Sequence, residues 1–150
     1  MPKKFDEKPL RQSPCVCTNL KMASRVATRG YDQALEELGI NITQYSILVN
    51  VLRYQPISQM RLAEHLDAER TTLYRALDIL ENRGLLKTTA SGQGLTKVIE
   101  LTVQGKELTM KAQKKWSAVQ SRFIKEYGAD KWNQLSSLLE DLRDLFKEAL

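Results

Sequence analysis

Along most of this chain, hydrophobic residues recur three and four positions apart, which is the helical period. The first run covers roughly residues 16–38 and is apolar at Leu20, Ala23, Ala27, Tyr31, Ala34, Leu35 and Leu38; Gly39 closes it as a C-cap-like residue. Thr43 reads as the N-cap of a second helix, with Tyr45, Ile47, Leu48, Val51 and Leu52 facing inward until Pro56 breaks the run. Ser58 then caps a short third helix, apolar at Leu62, Ala63 and Leu66. Asp67, Ala68 and Glu69 follow, and the period resumes at Leu73, Leu77 and Leu80. Two helices joined by about three residues must cross steeply, as in a helix-turn-helix.

The period changes after Gly84. Leu85, Leu86, Lys87, Thr88 and Thr89 read as a strand, Ser91, Gly92, Gln93 and Gly94 as a turn, and Val98, Ile99, Glu100 and Leu101 as the returning strand. A hairpin directly after a helix-turn-helix predicts a winged helix. Thr102 is the expected N-cap of a fifth helix with a stripe of Leu108, Ala112, Trp116, Val119, Phe123 and Tyr127. Gly128 interrupts, Asp130 caps again, and a last helix carries Trp132, Leu135, Leu138, Leu139, Leu142, Leu145 and Phe146. Pro2, Pro9 and Pro14 mark residues 1–14 as a flexible arm. The predicted fold is mainly α with a small β-hairpin wing: a winged helix over about 43–102, flanked by helices over about 15–38 and 102–150.

Bulk composition agrees with one soluble domain: 150 residues, 42% hydrophobic and 27% charged. No apolar run approaches the roughly 20 residues that span a bilayer, and the N-terminus lacks the apolar centre of a signal peptide, so a cytoplasmic protein is expected. The net charge of +5 suits a polyanionic partner without deciding the matter. Its distribution says more. Residues 1–30 net +5, whereas residues 53–97 net only +2. Specific binding would therefore depend on where individual arginines point and not on a large positive field.

The outward face of the fourth helix carries Arg70, Thr71, Thr72, Tyr74 and Arg75, side chains that reach base edges and phosphates. Ser58 and Lys97 join them as candidate DNA contacts. Each has an ordinary alternative. Arg70 and Arg75 could be solvated, or Arg75 could pair with Asp78 or Glu81. Thr71 and Thr72 could cap a helix whose N-terminal N–H groups also face phosphate. Tyr74 divides evenly between a DNA contact and surface packing. Cys15 and Cys17 are free thiols in a reducing compartment, either buried small residues or a redox-sensitive pair near Lys21 at a helix start. Cys-x-Cys without a second ligand cluster is no zinc site, and His65 is the only histidine. With no catalytic constellation and no phosphate loop, neither an enzyme nor a bound cofactor is expected.

The long first helix, the Thr43-Gln44 start of the second, LAEHL, RTTLYRALDILENRGLL, the glycine-containing hairpin and IELTVQGKEL together resemble the MarR family of transcriptional regulators over nearly the whole chain. The segment from Cys15 to Leu20, with Arg25 and Tyr31-Asp32, is similar to one subgroup of it. The resemblance implies a single domain over 15–150 and a homodimer joined by its terminal helices, with the fourth helix in the major groove and the wing near the minor groove. It also implies a small aromatic or anionic effector between the dimer helices and the winged helix, where Arg25, Tyr45 and Trp116 are chemically suitable. Family members commonly carry Asp-x-Arg in the wing. Gln93 and Leu95 stand there, so the wing arginine is absent and Lys97 is the remaining candidate.

The resulting expectation is a homodimeric regulator of pseudo-palindromic double-stranded DNA, a repressor released by a ligand or by thiol oxidation. The alternatives are a monomer whose flanking helices wrap one core, and a winged-helix protein-interaction module that binds no DNA.

Overall fold

The computed structural model describes residues 15–90 and 96–149. The arm at 1–14 and the hairpin turn with Gln93 and Leu95 lie outside the described residues. The elements, in chain order, are α1 (Val16–Leu35), a 3-10 turn (Glu36–Leu38), α2 (Ile42–Tyr54), β1 (Ile57–Ser58), α3 (Gln59–Leu66), α4 (Arg70–Asn82), β2 (Leu86–Ala90), β3 (Lys97–Leu101), α5 (Val103–Tyr127) and α6 (Ala129–Glu148). Apart from the 3-10 turn and β1, the described residues match the winged-helix reading of the sequence in element type and order.

Local chemistry sets most boundaries. Gly39 takes φ 66° and ends the 3-10 turn. The cap of α2 is Asn41 and not Thr43. The Asn41 side chain accepts from the Gln44 N–H at 2.9 Å, and Gln44 Oε1 accepts from the Asn41 N–H at 3.1 Å, a closed capping box. Asp32 of α1 adds a tertiary cap by accepting from the Ile42 N–H at 2.7 Å. Ser58 caps α3 as expected, accepting from the Arg61 N–H. Asp67 makes the tight turn into α4 at φ 49°, a region that aspartate tolerates better than bulky residues. Asp130 does not cap α6. Gly128 holds that position, so Asp130 sits in the first turn, where its charge suits the helix dipole.

One strand escaped the pattern. β1 is only two residues long, too short for a periodicity, and pairs antiparallel with β3 through Ile57↔Ile99 and Ser58↔Val98. The sheet order is β1-β3-β2, which puts β3 in the middle. The core lies between this sheet and the helices. Leu35, Leu48, Val51, Leu62, Leu80 and Ile99 are completely buried there, with Leu73, Leu77 and Leu85 almost so.

α5 packs on α1, α2 and β3. The Tyr31 hydroxyl donates to Gln120 Oε1, and Lys115 pairs with Glu37 at 2.6 Å. The start of α5 is held more tightly. Thr102 Oγ1 donates to the Gly84 carbonyl at 2.6 Å and accepts from the Gly105 N–H at 3.0 Å, while the Thr102 N–H donates to the Leu85 carbonyl at 3.1 Å. α5 therefore begins directly against the end of α4.

At Gly105 a Cβ would lie 1.9 Å from the Leu85 carbonyl oxygen and 2.8 Å from its carbon. Both are backbone atoms, which cannot swing aside. Gly105→Ala is expected to destabilise the fold by about 3 kcal/mol, read as a lower urea midpoint at unchanged slope. A midpoint equal to that of the unaltered protein would refute the close approach.

Candidate nucleic-acid interface

α4 is amphipathic. Leu73, Leu77 and Leu80 enter the core, and Arg70, Thr71, Thr72 and Arg75 are exposed on the opposite face. Tyr74 is half-buried and packs against the core with part of its side chain still accessible. Arg75 forms no ion pair with Asp78 or Glu81 among the described residues. Glu81 is engaged elsewhere, accepting from the Thr88 N–H at 2.8 Å and so tying β2 to α4. Arg75 and Arg70 are thus exposed and form no ion pair among the described residues.

The cap of α4 is Glu69, a residue the sequence reading left in the turn. Glu69 Oε1 accepts from the Thr71 N–H at 2.9 Å, and Oε2 accepts from the Thr72 N–H and the Thr72 hydroxyl, each at 2.7 Å. Thr71 and Thr72 are therefore capped residues and not caps. The helix N–H groups at these two positions are used by Glu69, which removes them as a phosphate cradle. The Thr72 hydroxyl, the Thr72 N–H and the Thr71 groups hold the Glu69 carboxyl down to about 2. Glutamate is not a favoured N-cap. The available sequence signal was its position two and three residues before two hydroxyl-bearing residues at a helix start.

Ser58 ends β1 and Lys97 opens β3. Ser58 pairs with Val98 across β1 and β3, which brings Lys97 beside the start of α3. Ser58 is half-buried and spends its hydroxyl on the α3 cap, whereas Lys97 is exposed. His65 is an exposed residue of α3, stacked on Tyr54 with ring centroids 4.5 Å apart.

Tyr45 and Trp116 come together, with ring centroids 6.1 Å apart and Tyr45 buried. Burial pushes the Tyr45 hydroxyl pKa up. Arg25 is exposed on α1, and no described hydrogen bond or ion pair joins it to either ring. Cys15 and Cys17 are both free and exposed, which corrects the buried alternative. They begin α1, whose first turns bury nothing within the chain. Cys15 sits at the N-cap position without a formal capping bond. The Thr18 backbone and hydroxyl, the Cys17 N–H and Lys21 nevertheless lower its thiol pKa. Among the described residues no cluster of three acidic, histidine or cysteine side chains could hold a metal. No described helix is long and apolar enough to cross a membrane.

A helix-turn-helix with a following hairpin, bracketed by long helices and presenting exposed arginines on its second helix, is the architecture of a winged-helix protein. The MarR family model matches residues 40–92, from the capping box of α2 into the hairpin. An HTH-type transcriptional regulator of Bacillus cereus (strain ATCC 14579), itself uncharacterized, is 30% identical over 93 residues, which are 62% of this chain and 62% of that protein. The chain thus matches about three fifths of the length of such curated relatives. The HTH-type regulator YwoH of Bacillus subtilis (strain 168) is 27% identical over 130 residues, 87% of this chain and 84% of YwoH. The crystal structure of the M. tuberculosis transcriptional regulator MosR in complex with DNA superposes with a TM-score of 0.77 at 28% identity, covering 87% of this chain and 98% of that one. Residues 40–92 are thus similar to the MarR family, and the solved structure of like fold is a transcriptional regulator. These relatives are described as transcriptional regulators and not as enzymes.

The Glu69 cap carries a pH signature. A carboxyl whose folded pKa is depressed contributes stability that is present above its unfolded pKa, about 4.5, and lost as pH falls toward about 2. Glu69→Ala should lower the thermal midpoint at neutral pH, and the difference should shrink through that acid window. A difference that stays constant in thermal melts across the window would exclude Glu69 as an ionised cap.

Proposed function

We propose that this chain is a homodimeric, sequence-specific double-stranded DNA-binding transcriptional regulator of the cytoplasm, a repressor released by a small ligand or by thiol oxidation. The observation that carries this reading is the outer face of α4. Arg70, Thr71 and Arg75 stand exposed on the second helix of a helix-turn-helix, and both arginines lack an ion pair among the described residues. In this geometry the second helix enters the major groove, and arginine there makes paired hydrogen bonds to guanine O6 and N7. Lys97 on the hairpin supplies a backbone contact beside it. The MosR complex supports the reading, since a relative of the same fold was crystallised with DNA.

The dimer is supported by apolar surface that the single chain leaves uncovered. Val26 is 62% exposed on α1, and Leu138, Leu145 and Phe146 are 58%, 63% and 53% exposed on α6. A two-fold pairing through these helices would bury them and set two recognition helices about 34 Å apart, one turn of the duplex. The stacked Tyr45 and Trp116 favour a small aromatic effector between the dimer helices and the winged helix, with Arg25 available for an anionic group. Cys15 and Cys17 at the start of α1 favour oxidation as an alternative release.

Selection of bound duplexes from a random pool tests the reading directly. It should yield a pseudo-palindromic site whose affinity falls steeply with salt. Arg75→Ala should weaken binding to that site by about 10- to 100-fold, the equivalent of about 1–3 kcal/mol. Absent or salt-independent binding would favour the protein-interaction module. Sedimentation equilibrium should give a dimer that Leu145→Glu with Phe146→Glu converts to monomer; a wild-type monomer would leave the flanking helices as a wrap around one core. In a Cys17→Ser variant, iodoacetamide alkylation of Cys15 should rise at lower pH than for free cysteine, following its lowered pKa. An inflection at or above that of free cysteine would remove the basis for thiol sensing.

A further inference from the structure

The hydrogen bonds at the start of α4 fix a donor and acceptor pattern as well as a helix end. A threonine hydroxyl has one hydrogen to donate. That of Thr72 goes to Glu69 Oε2, at 2.7 Å. Thr72 Oγ1 is left with lone pairs alone to offer. Ionised Glu69 can likewise only accept. Both residues are exposed. The Glu69–Thr72 pair therefore accepts hydrogen bonds and cannot give them, next to Arg70 and Arg75, which can only give them.

We propose that the Glu69–Thr72 pair is a specificity element: it selects an amino-bearing base, cytosine or adenine, on the strand facing the start of α4, and rejects guanine and thymine there. The proposal rests on the duplex-reading function above. In the major groove, cytosine N4 and adenine N6 are the donors, whereas guanine presents O6 and N7 and thymine presents O4. Against a keto oxygen the pair would set lone pairs against lone pairs and leave both sides without a partner after losing water. Two further observations direct the pair to a base edge and away from the backbone. The Glu69 carboxylate repels phosphate. The N–H groups at positions 71 and 72, which would otherwise attract phosphate, already bond to Glu69. The charge persists through the working pH range, since the carboxyl titrates far below it.

The test is parallel selection from a randomised duplex pool with the full chain and its Thr72→Val, Thr72→Ser, Glu69→Gln and Arg75→Ala variants. The unaltered protein should show one position per half-site restricted to cytosine or adenine, at a fixed offset from the position that Arg75→Ala relaxes. Thr72→Val should relax the amino-restricted position and leave the arginine-dependent one, and Thr72→Ser should restore it. Glu69→Gln, which places a donor beside the acceptors, should admit guanine or thymine. On the selected duplex, replacing the amino group by hydrogen, with 2-pyrimidinone for cytosine or purine for adenine, should raise Kd about tenfold for the unaltered protein and leave Thr72→Val unchanged. A site whose preferences survive both Thr72→Val and Glu69→Gln, or whose Kd ignores loss of the amino group, overturns the proposal with duplex reading intact. So does a Thr72→Val variant that loses the arginine-dependent preference as well, because the pair would then only hold the helix. A pool that yields no enriched site at low or moderate salt overturns duplex reading itself.

Discussion

The first turn of α5 lies against the end of α4 at backbone distance. Gly105 faces the Leu85 carbonyl where no side chain fits, and Thr102 bonds at once to Gly84, Leu85 and Gly105. α4, the hairpin and α5 meet at this joint. Gly84, in the left-handed region at φ 71°, ends α4 and turns the chain into β2. β2 is then paired along its length with β3, and β3 leads straight into Thr102. The loop from α4 through the hairpin to α5 is thus closed on itself by a few short hydrogen bonds. The orientation of α4 relative to the long helix α5 follows from that closure, because neither end can shift without breaking buried backbone contacts.

Electrostatics act within this frame at single residues. The region 53–97 nets only +2, so the helix-turn-helix and hairpin carry no broad excess of positive charge. Instead the charges are sorted along one helix. Glu69 neutralises the positive end of the α4 dipole and satisfies its first N–H groups. One turn further, Arg75 is free of partners among the described residues. An acidic cap followed by a free arginine makes the surface of α4 alternate in character over a few ångströms. That suits discrimination between base edges better than general attraction to a polyanion.

The flanking helices divide into a part that serves the chain and a part that does not. The C-terminal half of α1 contributes Leu35 and the Asp32 cap of α2, and α5 contributes Thr109 and Ala112 to the interior. α6 buries no residue, and its Lys147 reaches Asp67 of the helix-turn-helix at 3.0 Å. Both side chains are largely exposed, so the pair adds little stability. It does mark how closely the last helix approaches the turn that precedes α4. The proposed dimer would cover the apolar sides of α1 and α6 and set this contact at the edge of the interface.

Periodicity carried most of the fold. The runs through Leu62, Leu66, Leu73, Leu77 and Leu80 could form only amphipathic helices, and Gly39, Gly84 and Gly128 each punctuate the chain where a positive φ is needed. The exposed face of α4 was equally legible, since the apolar positions of a short helix define its outside. What the sequence could not decide was which neighbour a polar side chain would choose. Thr43 and Asp130 looked like caps, yet Asn41 and Gly128 hold those positions. Tyr74 turned half inward, and β1 was too short to show a period. The cysteines proved exposed because, among the described residues, the first turns of α1 bury no side chain. Above all, Glu69 read as a turn residue until the αL bend at Asp67 aimed it back at the N–H groups of α4. Local spacing fixes helices because their hydrogen bonds are local. The short strand β1 and the partners of side chains such as Asp32 depend on where the chain returns in space, and only the tertiary structure decided them, while the choice between neighbouring cap candidates turned on backbone angles that residue type alone does not set.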